Sequence, residues 1–263
     1  MKWHRIYALL LRYLYLYPRS VPRILDIFFW PVTDLLVWGF LTIYLQNIQP
    51  DAPYFGRMLL GSLILWNFTN RSQQGISIAF LEEIWEKNLI NIFITPISLK
   101  EFLAATILVG LARIAVLGTF LGTAAFLMFH FNLLSFGWYL VPFILNLFVF
   151  GWVLGLFATS IIMRFGQSAQ VLAFTLTVIL MPFAAVFYPV SVLPPVVKHI
   201  SLALPISHIF EGMRSVVLQQ SLSPDTIVIA SVLNIIWLIV ALSLFFFMFE
   251  YMREKGQLSK LVD

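Results

Sequence analysis

Residues 226–249 read TIVIASVLNIIWLIVALSLFFFMF. No charged side chain interrupts this run, and a helix of that length reaches about 36 Å. The hydrocarbon core of a bilayer is about 30 Å thick, so the run is long enough to cross it. Working outward, comparable runs occupy roughly 24–46, 54–79, 101–128, 138–162 and 169–188. The chain of 263 residues is 61% hydrophobic and only 11% charged, with a mean hydropathy of +0.94. Soluble domains carry about 25% charged residues, and a domain of this size cannot bury so much apolar surface in one core. The sequence therefore predicts an all-α polytopic membrane protein, one domain over 1–263 with six transmembrane helices.

Four segments depart from the simple span. Residues 1–20 predict an interfacial helix, with Trp3, Ile6, Leu10, Leu14 and Tyr17 on one broad apolar face and Arg5, Arg12 and Arg19 recurring on another. Pro18 and Pro22 predict a break before the first span. Within 54–79 the half MLLGSLILW is plainly apolar, but NFTNRSQQGIS is not. Polar groups at that depth must face protein or an aqueous cavity. Residues 81–97, LEEIWEKNLINIFITPI, are too charged to span and predict a cytoplasmic helix with Trp85, Leu89, Ile92, Phe93 and Pro96 on its apolar side. Residues 189–224 carry five prolines among mostly apolar residues, which predicts two short re-entrant helices broken at Pro205.

Charge bias orients the spans. Lys2, Arg5, Arg12, Arg19 and Arg23 precede the first span. Lys87, Lys100 and Arg164 fall in alternate loops, and Arg253, Lys255 and Lys260 follow the last span. Six crossings bring all of these to the cytoplasmic side, leaving Arg57, Lys198 and Arg214 opposite. Both termini are thus expected to be cytoplasmic. The N-terminal stretch lacks the charge pattern and small-residue site of a signal peptide. Scattered basic residues form no nucleic-acid patch. With no cysteine, thiolate and disulfide chemistry are excluded, and His4, His130, His199 and His208 show no metal-ligand spacing.

Candidate functional residues are few. Asp26 and Asp34, eight apart, suit either a proton relay or separate roles beside Arg23 and inside the bundle. Asn67, Asn70, Arg71, Gln73 and Gln74 suit either a translocation path or a packing surface. Glu211 and Arg214, three apart, suit an ion pair steadying the outer segment. No phosphate-binding GxxxxGK[ST] run and no serine nucleophile elbow occur, so no catalytic residue is assigned.

The order of parts resembles the membrane permeases of the ABC-2 type transporter family. The run EEIWEKNLINIFITPISLKEFLAA at 82–105 is similar to the family's cytoplasmic coupling helix and its step into the third span. The run FYPVSVLPPVVKHISLALPISHIFEGMR at 187–214 resembles its pattern of Pro189, Leu193-Pro194, Pro205, Glu211 and Arg214. The doubled Pro195, and Ala203-Leu204-Pro205 where Asn-Pro is usual, are departures. The resemblance implies a non-enzymatic subunit of an ATP-driven exporter. It implies a second copy of the chain as partner, together with two copies of an ATPase subunit that carries the ATP and magnesium. Glu82, Glu83, Trp85, Glu86, Lys87 and Leu89 would then seat against that ATPase. The expected location is a bacterial or archaeal plasma membrane, and the expected substrate is lipophilic or amphipathic: a drug, a lipid or a lipid-linked glycan. The rival from another class is an ATP-independent secondary transporter or channel, favoured by the intramembrane acids but lacking an evident internal repeat. A lipid-modifying membrane enzyme is a third reading, without a convergent cluster to support it.

Overall fold

The computed structural model describes residues 1–16, 20–48, 54–219 and 221–256. Tyr17, Pro18, Arg19, most of the stretch 47–53 between the first two expected spans and Lys260 lie outside these residues, as do the side chains of Pro22, Arg23 and Asp26. The described chain is helical throughout: α1 (Trp3–Leu16), α2 (Val21–Ile48), α3 (Tyr54–Trp85), α4 (Leu89–Ile94), α5 (Leu99–Phe129), α6 (Leu140–Phe165), α7 (Leu172–Leu180), α8 (Pro195–Ala203), α9 (Pro205–Gln219) and α10 (Pro224–Glu254). Short 3₁₀ turns at Leu133–Tyr139, Gly166–Ala169 and Val190–Val192 join some of them.

Helix α3 is the hub and touches α2, α5, α6, α7 and α9, while α10 closes the far side against α6 and α9. At 32 residues, α3 measures about 48 Å and overreaches a bilayer core. Its polar half turns inward: Asn67, Thr69, Ser72, Gln73 and Ser77 are all buried. Glycines make this possible. A Cβ on Gly151 of α6 would stand 2.4 Å from the Ser72 Cβ and 2.7 Å from the Thr69 carbonyl oxygen. A Cβ on Gly155 would stand 2.8 Å from the Gln73 carbonyl oxygen. Gly75 of α3 and Gly110 of α5 meet backbone to backbone, with a Cβ on Gly75 falling 3.3 Å from the Gly110 Cα. Small residues spaced four apart are the means by which helices without a hydrophobic driving force approach closely. The Ser72 hydroxyl uses that closeness to donate to the Phe148 carbonyl of α6 at 2.8 Å.

The structure bears on four expectations and corrects two of them, the continuous helices over 169–188 and 81–97. Among the described residues, four stretches are long and apolar enough to cross a membrane on those grounds alone: Ile27–Ile48, Leu99–Phe129, Leu133–Phe165 and Pro224–Glu254. Helix α3 has the length but is not among the stretches that also reach that hydropathy, and the helix expected over 169–188 is cut to the nine residues of α7. Pro182 has no amide proton for the carbonyl four residues back, and Ala185 turns the chain with φ of 50°. The continuous helix expected over 81–97 is also interrupted. Helix α3 runs on to Trp85, Lys87 takes a left-handed φ of 53°, and α4 begins at Leu89. The Lys87 amide donates to the Ile84 carbonyl at 3.0 Å and the Asn88 amide to the Glu83 carbonyl at 2.9 Å. These are the two bonds of a Schellman stop. Finally, the buried side of α1 is Ile6, Leu9 and Tyr13, whereas Trp3 and Leu14 are exposed. Of the expected apolar face, Ile6 is buried and Leu10 packs on the core.

Gly151→Ala is expected to destabilise the purified protein by about 1–3 kcal/mol, since the backbone oxygen facing the new methyl cannot yield. Gly122→Ala, whose Cβ would meet nothing closer than 3.9 Å, is expected to melt no lower than the parent. Equal melting temperatures for the two variants would contradict a close-packed α3–α6 seam.

Candidate coupling site and transport face

The sharp turn between α3 and α4 places Glu83 inward. Its side chain is 1% exposed, and four donor contacts from three groups converge on it. Arg12 of α1 forms a two-pronged pair, Nη1 to Oε1 at 2.7 Å and Nη2 to Oε2 at 3.0 Å. The Tyr13 hydroxyl donates to Oε1 at 2.7 Å, and the Asn88 amide donates to Oε2 at 2.7 Å. A buried carboxylate is tolerable only when its lone pairs are filled in this way. Burial, reinforced by the charge of Glu83 and the bond to it, raises the Tyr13 pKa far above its ordinary value, so Tyr13 remains a neutral donor. Burial alone would lower the Arg12 pKa, but the bond to Glu83 and its charge outweigh that and the net shift is upward.

A second carboxylate, Glu101 at the start of α5, is 2% exposed. It closes a capping box with Ser98, accepting from the Ser98 amide at 2.9 Å while its own amide donates to the Ser98 hydroxyl at 3.3 Å. It also accepts from the Lys2 amide at 2.6 Å and faces Arg5 at 3.6 Å. The Arg5 guanidinium bonds the Pro96 carbonyl as well. Helix α1 is therefore fastened at two points, to the α3–α4 turn through Glu83 and to the α4–α5 turn through Glu101.

The six residues expected to face an ATPase divide accordingly. Glu83 and Leu89 are buried and lie behind the surface, not on it. Trp85, Glu86 and Lys87 are exposed, and Glu82 is half-buried. Glu86 stands 3.7 Å from Arg12. Trp85 is 45% exposed, donates to the Gln170 side chain at 3.2 Å and stacks on Phe174 of α7. On α4, Leu89 and Ile92 point into the core and Phe93 packs on Phe102 and Phe249, leaving Asn91 and Ile94 bare. The result is a small outward surface of mixed apolar and charged character on a rigid base.

The intramembrane candidates also separate. Among the described residues Asn67 bonds only within its own helix, to the Leu63 carbonyl at 3.1 Å. Asn70 accepts from Thr177 of α7 at 2.7 Å, Arg71 donates to Gln74 at 2.9 Å, and the Arg71 charge acts on Asp34 of α2. Gln73 and Ser77 hold the Ala173 carbonyl at 3.0 and 3.3 Å. Half-buried Asp34, Asn70, Arg71 and Gln74 thus line one face where α3 passes between α2 and α7. Trp38 of α2 stacks on Phe187, with centroids 4.3 Å apart, farther along the same side.

Glu211 and Arg214 meet at 3.1 Å. Glu211 also accepts from the Val190 amide at 2.6 Å, and Arg214 donates to the Val186 carbonyl at 3.3 Å. The Ser62 hydroxyl of α3 reaches the same carbonyl at 2.8 Å. Residues overlooked in the sequence include Arg12, Tyr13, Asn88 and Glu101, and the Asn146–Asn234 bond at 2.9 Å between α6 and α10. The Ser98-x-x-Glu101 spacing was a readable signal; the Arg12 and Tyr13 partners of Glu83 had none, because they lie some 70 residues away. Among the described residues no cluster of His, Asp and Glu could hold a metal.

Glu83→Gln is expected to cost about 1–3 kcal/mol of α1 docking, the range for an unmatched buried polar group. Amide exchange over residues 3–16 should rise while α5 and α6 stay protected; unaltered exchange would count against the anchor. A pH effect follows from Tyr13. Its raised pKa means that its contribution is complete below its ordinary 10.0 and is lost as pH climbs above that value. Protection of α1, measured relative to the intrinsic base-catalysed exchange rate, should fall above about pH 10 in the parent, and Tyr13→Phe should flatten that fall; an identical fall in the variant would refute the assignment.

A model of the ABC-2 type transporter family, whose members are non-catalytic membrane transport subunits, matches residues 4–218. No individual curated protein matches the chain. The match takes in α1, both anchoring carboxylates, the polar face and the Glu211–Arg214 segment, and it covers most of the sequence: the chain belongs to the ABC-2 type transporter family and is a polytopic membrane permease.

Proposed function

We propose that the protein is the membrane-spanning half of an ATP-driven exporter, in which two copies of the chain pair and each engages a separate ATPase subunit. The observation that carries this reading is the junction at Glu83. An outward surface at Trp85, Glu86, Lys87, Asn91 and Ile94 rides on a turn fixed to α1, α3 and α5, so a push there moves helices and does not dissipate in a loose loop. Trp85 passes the displacement on to α7 through Gln170 and Phe174.

In this reading α3, and α7 with the turns that follow it, supply the second and fifth of six crossings. The α1 end is cytoplasmic and the membrane is a bacterial or archaeal plasma membrane. The face bearing Asp34, Asn70, Arg71 and Gln74 turns toward the second copy and the path between them, because half-buried polar groups at that depth are costly against hydrocarbon. Apolar and aromatic side chains of α2 around this polar patch (Trp30, Val37, Leu41 and Tyr44 are exposed) suit a lipophilic or amphipathic substrate such as a drug, a lipid or a lipid-linked glycan. ATP-driven closure of the ATPase pair would shift the packing between copies.

Purification of the chain in mild detergent is expected to recover a P-loop ATPase at one copy per permease. In that complex Trp85→Ala and Lys87→Glu should lower substrate-stimulated ATP hydrolysis by about tenfold, equivalent to 1.4 kcal/mol of coupling, with the complex still assembled. Transport persisting in a preparation free of any nucleotide-binding partner would transfer the reading to an ATP-independent transporter using Asp34.

A further inference from the structure

The end of the bundle away from α1 contains a pocket of about 320 Å³. Its polar lining comes from Thr42 and Gln46 of α2, Arg57 in the first turn of α3, and His130, Asn132 and Ser135 beyond α5. At about 30 Å³ per water it has room for roughly ten, enough for a small polyatomic ion. The pocket differs in kind from the larger groove of about 820 Å³ beside α5, which is lined almost wholly by apolar side chains.

Four features converge on negative charge. Arg57 is exposed and, among the described residues, no carboxylate lines the pocket or pairs with it. The first turn of a 32-residue helix, whose amide protons have no partner within the helix, puts the positive end of the helix dipole beside Arg57. Asn132 has its Oδ1 taken by the Leu134 amide at 2.9 Å, so its side-chain NH₂ is left to donate. Thr42 is 3% exposed, and its hydroxyl has no hydrogen-bond partner among the described residues. A buried hydroxyl without a partner costs about 1–3 kcal/mol, which a ligand oxygen would recover. Gly56 gives the Gln46 amide its place: a Cβ there would stand 2.3 Å from Nε2 and 2.6 Å from the Thr42 Cγ2.

Tyr44, Tyr54, Trp138 and Tyr139 are exposed at the same end of the bundle, and aromatic residues of that kind mark headgroup depth. Arginine pairs with phosphate through two parallel bonds. We propose that this pocket is a binding site for a phosphate group held at the depth of the lipid headgroups on the face opposite α1. The site stands apart from the coupling surface and does not depend on the exporter reading.

The test is a titration of the purified full chain in a neutral detergent with two probes, inorganic phosphate and a short-chain phosphatidic acid. Arg57→Ala is expected to weaken binding by about tenfold or more, as loss of a charged bond does, and Arg57→Lys to restore part of it. Thr42→Val, of the same shape, is expected to weaken binding severalfold without lowering the melting temperature. Binding of the phosphatidic acid alone assigns the site to a lipid or lipid-like headgroup; equal binding of both probes assigns it to soluble phosphate. Arg57→Ala and Thr42→Val proteins that bind as the parent does would overturn the proposal. Failure of both probes to bind the parent at millimolar concentration would do the same. Should Arg57→Ala unfold, Thr42→Val decides.

Discussion

The contact on which the rest of the molecule depends is the approach of α3 to α6 at Gly151 and Gly155. A helix rich in Asn, Ser, Thr and Gln belongs in a membrane protein only if its polar groups meet other polar groups over short distances. Removing two side chains from α6 brings the backbones close enough for Ser72 to reach a carbonyl of the neighbouring helix. The Gly75–Gly110 contact does the same on the α5 side. With α3 fixed between these two, α2, α7 and α9 have a rigid column to pack on, and the apolar exteriors of α2 and α10 are left to the surroundings.

The two carboxylates at the α1 end extend that rigidity beyond the bundle. Glu83 terminates α3 and Glu101 initiates α5, and both are completed by donors from α1. Neither is a surface ion pair of the kind that contributes little. Each sits in a nest of directed bonds whose partners come from distant parts of the chain, so α1, the two turns and α4 form one piece. The family to which the chain belongs is defined across this piece as well as the spans.

Much of this was legible beforehand. Length and hydropathy marked α2, α5, α6 and α10, because a span needs only a local property. The break at Pro205 and the Glu211–Arg214 spacing were equally local. What escaped was whatever depends on a partner remote in sequence. Glu82, Glu83 and Glu86 are equivalent as letters; only the arrival of Arg12 and Tyr13 makes Glu83 an anchor. The buried side of α1 likewise adds Leu9 and Tyr13 to Ile6 of the apolar stripe. The end of α7 was legible in principle, since Pro182 lies within the apolar run, but hydropathy continues through a proline while hydrogen bonding does not.

A helix held by two carboxylates has a mechanical meaning. On its outer side α1 leaves Trp3, Tyr7 and Tyr15 bare, side chains that suit the boundary between water and lipid. The turn at Lys87 and α1 share a single carboxylate, Glu83, so the lever arm from one to the other has almost no slack. In the exporter reading, the headgroup layer then serves as the fulcrum against which a force at the turn is converted into tilt of α3 and α5. The composition and tension of the membrane surface enter the stroke directly, as the stiffness of the ground beneath a crowbar does.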